Sequence, residues 1–309
     1  MRIPASVVMF ALVLSSARSL ALAQGGATEP ELRNPTVTVT GSREDQAAAF
    51  VQQVQPQGWA GSARGVPRWN SELCISVIGP PVAQGQFIAD RISARAMTIG
   101  LEAGAPGCDT NLLVIVTDQP ETLLPQIAQQ HRAVFGFTGD ANIDTGGSGV
   151  SLADFIAEDR PVRWRQVVET IGADGMPLDG DARRGITMAP ENVPTVRTDS
   201  TRLRSAVRRE LSRVIAVVDT RHTAGLSLTA VADYLAFVSL ADVSPEPDLA
   251  GFPSILNLFN PAAERQTEMS DWDIAFLDGL YKSNSDAASG RAQYREIAKR
   301  IARYETGGD

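Results

Sequence analysis

The side chains that most readily bind metals or transfer protons near neutral pH are scarce in this 309-residue chain. It contains two histidines, His131 and His222. A helix that binds zinc usually presents two imidazoles one turn apart, at positions i and i+4. Neither histidine has such a partner, so three histidine ligands are excluded and two would have to converge in the fold. We expect His222 in a surface loop and His131 near a helix end, where its charge suits the helix dipole.

Two acidic stretches offer oxygen ligands for a hard cation such as calcium. Residues 242–248 read DVSPEPD, and residues 140–146 read DANIDTG. Helix–loop–helix calcium sites combine alternating Asp or Asn, a central glycine and a distal glutamate. Neither stretch has the whole pattern, so we favour solvated loops for both and predict no bound metal or cofactor.

The first 23 residues have the features of a secretory signal. Arg2 supplies the positive start, residues 7–14 are almost all apolar, and the sequence Ala-Leu-Ala at 21–23 forms a small-residue cleavage site. The alternative is an N-terminal membrane anchor, but the apolar run is short for a bilayer. No later run is long enough to span one. We therefore expect a periplasmic or secreted protein without a transmembrane segment after cleavage.

The charge of the chain disfavours two classes of partner. Its formal net charge is −8 and its pI is about 5.0, which argues against nucleic acid and anionic membrane surfaces as partners. A basic cluster lies within residues 201–213. It could bind an anionic partner, but paired arginines on a solvated face are the interpretation we favour. The cluster consists of Arg202, Arg204, Arg208, Arg209 and Arg213.

Cys74 and Cys108 are the only cysteines. An even pair in an exported chain predicts a disulfide in an oxidising compartment. Both residues stand at the entrances of predicted strands, which supports pairing over two separate buried thiols. Closing a loop of this length would stabilise the fold by about 3–4 kcal/mol in the chain-entropy description.

Hydrophobic patterning predicts an α/β or α+β domain with a mixed, mainly parallel sheet. Residues 73–78 form a compact apolar strand, a helix with an apolar stripe follows, and residues 111–117 form a second buried strand. This βαβ order makes the two strands parallel neighbours. Residues 162–168 alternate like an edge strand, and residues 214–218 form a central strand.

The composition divides the chain into three parts. After the signal at 1–23, residues 24–66 are rich in Gln, Gly, Ala and Pro, which predicts a mobile leader. Residues 67–309 form one predicted domain with a helical C-terminal part. Its last helix, at 291–304, places Tyr294 and Ile297 on an apolar stripe.

The order of elements between residues 226 and 281 carries a resemblance. A helix at 228–241 is followed by the acidic loop, a short apolar segment at 253–259, and a helix opened by Ser-Asp-Trp-Asp at 270–273. This layout resembles the active-site half of a zincin metalloprotease without its zinc ligands. The resemblance implies a zincin-like architecture in which one long helix covers the sheet.

The helix departs from the zincin pattern at each metal-binding position. Zincins carry His-Glu-x-x-His, whose imidazoles bind zinc while the glutamate activates water. Here Ala232 and Ala236 stand at the histidines, Asp233 at the glutamate and Ser239 at the glycine that follows in metzincins. Alanine cannot bind zinc. The simplest structural interpretation is a core-facing helix in which Asp233 is solvated or hydrogen-bonded.

The apolar segment is similar to the Met-turn that underlies metzincin sites. Its sequence is Pro-Ser-Ile-Leu-Asn at 253–257, with Leu256 at the methionine. The resemblance implies a cleft beside Asp233 and this turn. Its predicted residues are Ala232, Asp233, Ala236, Ser239, Ser254, Leu256 and Asn257.

Two functions follow from these features. The first is an exported, non-catalytic protein that uses a peptidase-like scaffold to bind a cell-envelope protein or peptide, or to play a structural role. The second is an unorthodox metal-dependent hydrolase that uses Asp233, His222 and loop carboxylates. The first predicts an apolar or filled site at Ala232 and Ala236, and the second predicts that His222 and Asp233 converge.

Overall fold

A four-stranded sheet forms the centre of the chain. The structure is a computed structural model and describes residues 41–56, 65–136, 151–175 and 204–304. The strands are β1 (Ile75–Ile78), β2 (Leu112–Thr117), β3 (Val162–Gly172) and β4 (Val207–Asp219). Their order is β1-β2-β4-β3; β1, β2 and β4 are parallel, and β3 is antiparallel to β4 at one edge. The predicted α/β class with a mixed, mainly parallel sheet is confirmed.

Helices cover both faces of this sheet. They are α1 (Arg43–Val54), α2 (Val82–Thr98), α3 (Pro120–Gln130), α4 (Leu152–Ala157), α5 (Thr220–Thr223), α6 (Leu228–Leu240), α7 (Asp271–Lys282) and α8 (Gly290–Arg303), with short 3-10 helices at Arg132–Phe135 and Ile255–Phe259. Within the described ranges, none of these helices is long and apolar enough to cross a membrane.

The predicted βαβ unit begins the domain. Helix α2 connects β1 to β2, and Ile88, Ile92 and Ala96 are buried because their spacing of four places them on one face. This face packs against α6. The predicted disulfide is confirmed, since Cys74 precedes β1, Cys108 precedes β2, and their Cα atoms are 5.8 Å apart.

Strand β4 lies in the middle of the sheet and is buried on both faces. Val214, Ala216 and Val218 belong to the main core, which includes α2 and α6. Ile215 and Val217 belong to a smaller core on the opposite face, with side chains from α3 and α4. Because successive strand residues point to opposite faces, a continuous apolar run is what a strand covered on both sides requires.

The C-terminal part is helical, as the sequence predicts. Ser270 caps α7, accepting a hydrogen bond from the Asp273 backbone N–H, and the Asp273 carboxylate accepts one from the Ser270 backbone N–H in return. On α8, Tyr294, Ile297 and Ile301 are buried along the predicted stripe. These two helices pack against each other.

Helix α1 lies inside the stretch whose composition predicts a mobile leader. Ala47, Phe50, Val51 and Val54 are buried in the main core, and α1 packs along α8. Their i, i+3, i+4, i+7 spacing creates an apolar face. The surrounding Gln and Ala residues lower the average hydropathy of the segment, so its composition alone does not predict a buried helix. The predicted signal and the rest of the leader up to residue 40 lie outside the described residues.

The basic cluster is only partly a solvated face. Arg208 pairs with Glu210 at 2.7 Å, and Arg204 approaches Asp286 at 4.0 Å. Arg209, by contrast, is buried near Asp242. The difference arises because β4 begins at residue 207, so neighbouring arginines point to opposite sides of the strand. Arg202 lies outside the described residues.

Candidate functional site

Helix α6 stands where the resemblance places a metal-binding helix, and it is buried on all sides. Ser227 begins it by accepting a hydrogen bond from the backbone N–H of Ala230. All its residues from Ala230 to Leu240 are buried. A helix that is apolar around its whole circumference belongs in a core, and this one packs against α2, the sheet and α7.

The two alanines that the resemblance places at histidine positions are inside this core. Ala232 and Ala236 are both fully buried. Ser239 is buried as well, and its carbonyl oxygen accepts a hydrogen bond from the indole N–H of Trp69 at 2.8 Å. Its hydroxyl has no hydrogen-bond partner in the part of the chain that the structure describes. These positions therefore contribute packing, and they line no open surface.

Asp233 is held by two arginines of α2. Arg91 donates two hydrogen bonds to its carboxylate, at 2.7 and 2.9 Å, and Arg95 donates two more, at 3.0 and 2.7 Å. The backbone N–H of Met269 donates a fifth at 2.8 Å. Arg91 and Arg95 are one helical turn apart, so both reach the same carboxylate. Glu268 approaches the same guanidinium groups from the solvent side.

These contacts control the charge of Asp233. Burial alone raises the pKa of a carboxyl group, but the hydrogen bonds from Arg95, Arg91 and Met269 outweigh it and lower the pKa of Asp233 to about 2. The carboxylate is completely buried, and the side chains of Arg91 and Arg95 are 27% and 17% exposed. Asp233 is therefore ionised near neutral pH, as part of a largely buried ion-pair cluster.

Acid should weaken the fold through Asp233. Because its pKa is lower in the fold than in the unfolded chain, the unfolded state binds the proton first, and stability falls as the pH drops from about 4 to about 2. We expect Asp233 to account for a loss of about 2 kcal/mol in this range. Urea unfolding of the wild type and Asp233→Asn at several pH values measures it. A difference between the two proteins that stays constant over this range would contradict the prediction.

The segment that resembles a Met-turn is fixed by side-chain hydrogen bonds. The Ser254 hydroxyl and the Ile255 backbone N–H donate to the buried carboxylate of Asp273, at 2.6 and 2.7 Å. Asn257 donates from its amide to the carbonyl oxygens of Leu249 and Phe252. Ser254, Leu256 and Asn257 are all buried. Their polar groups thus hold the turn in place beneath α6.

Three aromatic rings join the edge strand, α6 and this turn. Tyr234 lies between Trp164 of β3 and Phe259, with ring centroids 6.2 and 5.0 Å apart and the rings steeply inclined. Edge-to-face contacts of this kind add to the stabilisation from burial. The aromatic side chains pack between β3 and α6. Phe259 also lines a solvent-accessible cavity.

Comparison with known proteins adds no family to this picture. No protein-family model matches the chain, and no curated protein or solved structure matches it either. The functional interpretation therefore depends on the residues and their geometry.

His222 lies beside two carboxylates and away from the Asp233 cluster. Its Nδ1 is 3.7 Å from Asp219 Oδ2 and 4.0 Å from Asp159 Oδ1, so one ligand atom from each residue falls within 4.8 Å of the others. Asp219, however, already accepts hydrogen bonds from the side chain and backbone N–H of Arg221, the shortest at 2.6 Å. The Arg221 hydrogen bonds lower the pKa of Asp219. A cation would have to compete with Arg221 here.

The remaining ligand candidates that the structure describes do not join this group. His131 ends α3, as predicted. Asp242 of the acidic loop is buried, and burial raises its pKa to about 7 against the opposing charge of Arg209. Its carboxylate therefore points into the core instead of joining the other oxygens of its loop. Residues 140–146 lie outside the described residues.

Proposed function

We propose that this protein is an exported, non-catalytic binding protein that uses a peptidase-like scaffold in the cell envelope. One observation carries the proposal: the two arginines that hold Asp233. A general base must accept a proton at the working pH, so its pKa should lie near that pH. A carboxylate with a pKa of about 2 and five hydrogen-bond donors is a poor base for water activation.

The order of elements supports the scaffold part of the proposal. A βαβ unit leads to an antiparallel edge strand, then to a central strand, the buried helix α6, a hydrogen-bonded turn and two terminal helices. The resemblance puts Ala232 and Ala236 at the positions of zinc ligands, and both pack in the core. A scaffold of this kind retains its shape without metal because apolar packing replaces the ligand bonds.

The signal-like residues 1–23 and the disulfide support export. Disulfides persist in oxidising compartments such as the periplasm, and the bond between Cys74 and Cys108 suits that setting. We propose a periplasmic or secreted location and a ligand from the same compartment, an extended peptide or cell-envelope fragment. Its binding site would be the solvent-accessible cavity that Leu258 and Phe259 line at the end of the turn.

A metal-dependent hydrolase is the second candidate. The grouping of Asp159, Asp219 and His222 favours it, since these residues could supply one imidazole and two carboxylate ligands. The contacts of Asp233 do not favour it, because its partners are Arg91 and Arg95. The hydrolase would therefore have to operate at His222 without Asp233.

Metal content separates the two candidates. We expect the mature protein, purified without chelators, to contain well under one equivalent of zinc by elemental mass spectrometry and to leave a labelled peptide library intact. The reason is that Arg221 already neutralises Asp219. Near-stoichiometric zinc that is lost in His222→Ala but kept in the control His131→Ala would overturn the non-catalytic proposal. Capture of specific peptides from the library without cleavage would support it.

A further inference from the structure

The cavity at the end of the turn combines an apolar floor with charged groups. It has a volume of about 430 Å³ and is bordered by Asp159, His222, Leu226, Leu258, Phe259 and Arg265, among others. This is within the size range of small-ligand sites. The floor comes from Leu226, in the turn that precedes α6, and from Phe259, at the end of the 3-10 helix Ile255–Phe259.

Arg265 is the most informative residue of this cavity. In the described ranges it forms no ion pair or hydrogen bond, whereas Arg91, Arg95 and Arg221 each hold a carboxylate. A guanidinium group presents a planar set of donors that fits a carboxylate through two parallel hydrogen bonds. An unpaired arginine at the border of a cavity is therefore available to an anionic ligand.

The other side chains define the rest of that ligand. Leu226 and Phe259, both half-buried, offer apolar surface to a branched or aromatic side chain, whereas Leu258 is buried. Asp159 is 83% exposed and carries a negative charge, which disfavours a polyanion such as a phosphate ester. Its carboxylate can instead accept a hydrogen bond from an amide N–H or an ammonium group. The combination suits a single carboxylate next to a nitrogen and an apolar side chain.

We infer that this cavity binds the free α-carboxylate and side chain of an apolar amino-acid residue. Arg265 binds the carboxylate, the apolar floor receives the side chain, and Asp159 accepts from the nitrogen. The residue can be the C-terminus of a peptide or a free amino acid, which share this chemistry. The inference rests on the proposed binding function and specifies which part of the ligand is recognised.

Titration calorimetry on the full mature protein tests the inference. The probes are N-acetyl-Ala-Leu with a free carboxylate, the same dipeptide as its C-terminal amide, and free leucine. We expect the acid to bind at least about tenfold more tightly than the amide, because a charge-assisted hydrogen-bond pair is lost. Arg265→Gln should remove this preference. The control Arg295→Gln, on the exposed side of α8, should retain it.

The probes also identify the source of the ligand. Tighter binding of leucine than of the acetylated acid, lost in Asp159→Asn, would assign the cavity to free amino acids; the reverse order assigns it to peptide C-termini. Either result supports the inference. Equal binding of acid and amide would overturn it while leaving peptide binding intact. If neither these probes nor any peptide of a library binds, the inference and the proposed function both fail.

Discussion

Asp233→Ala is expected to lower the free energy of unfolding by about 3 kcal/mol, because it leaves two arginines near the core without their carboxylate. Alanine has a higher helix propensity than aspartate, so the substitution would stabilise α6 if the ion pairs did not matter. The loss therefore reports the ion-pair cluster formed with Arg91 and Arg95. Urea unfolding of the purified variant near neutral pH measures it.

Glu268 provides the matched control for this experiment. It pairs with the same arginines, but its side chain is 64% exposed. Glu268→Gln should lower the free energy of unfolding by less than about 1 kcal/mol, as is usual for the loss of a surface ion pair. A variant with Asp233→Leu, Arg91→Met and Arg95→Leu should recover much of the loss, since apolar side chains can replace a buried ion pair. Equal losses in Asp233→Ala and Glu268→Gln would contradict the burial of the cluster.

Removal of the disulfide is expected to lower the free energy of unfolding by about as much as Asp233→Ala does. The Cys74→Ala, Cys108→Ala variant frees a loop with a sequence separation of 34 residues, and we expect stability to fall by about 3–4 kcal/mol. Urea unfolding of the oxidised wild type, the reduced wild type and the variant provides the comparison. The reduced wild type and the variant should agree closely. A reduced protein as stable as the oxidised one would show that the closed loop does not constrain the unfolded chain.

Local patterns were sufficient to predict most of the sheet. The apolar run of β2 and the Ile88–Ile92–Ala96 spacing are properties of short segments, and each is visible without tertiary information. The alternation at residues 162–168 predicted the position of β3 at an edge, but all seven residues are buried, so the solvated face that alternation usually indicates is not found there. The βαβ rule then gave the parallel pairing. Helix α1 was missed because Phe50 and its neighbours stand in a stretch of low average hydropathy, and their burial depends on α8 far along the chain.

The candidate site was less predictable because its defining contacts are distant in sequence. Arg95 and Asp233 are 138 residues apart, and periodicity within either helix does not reveal their pairing. One signal was available: an aspartate in the middle of an otherwise apolar helix needs a buried partner. The pair Arg91 and Arg95, spaced one turn apart on a predicted helix, offered the right charge. No pattern in the sequence indicates that Asp159 lies next to His222.

The docking of α1 on α8 has a consequence for the order of folding. Arg43 donates a hydrogen bond to the carbonyl oxygen of Ala302, a contact that spans 259 residues. Contacts of such separation form late, because they require the closure of a very long loop. Until the last helices have emerged, the apolar side of α1 around Phe50 and Val54 remains in water. A nascent or unfolded chain therefore exposes near its beginning a short apolar segment that the completed C-terminal helices later cover.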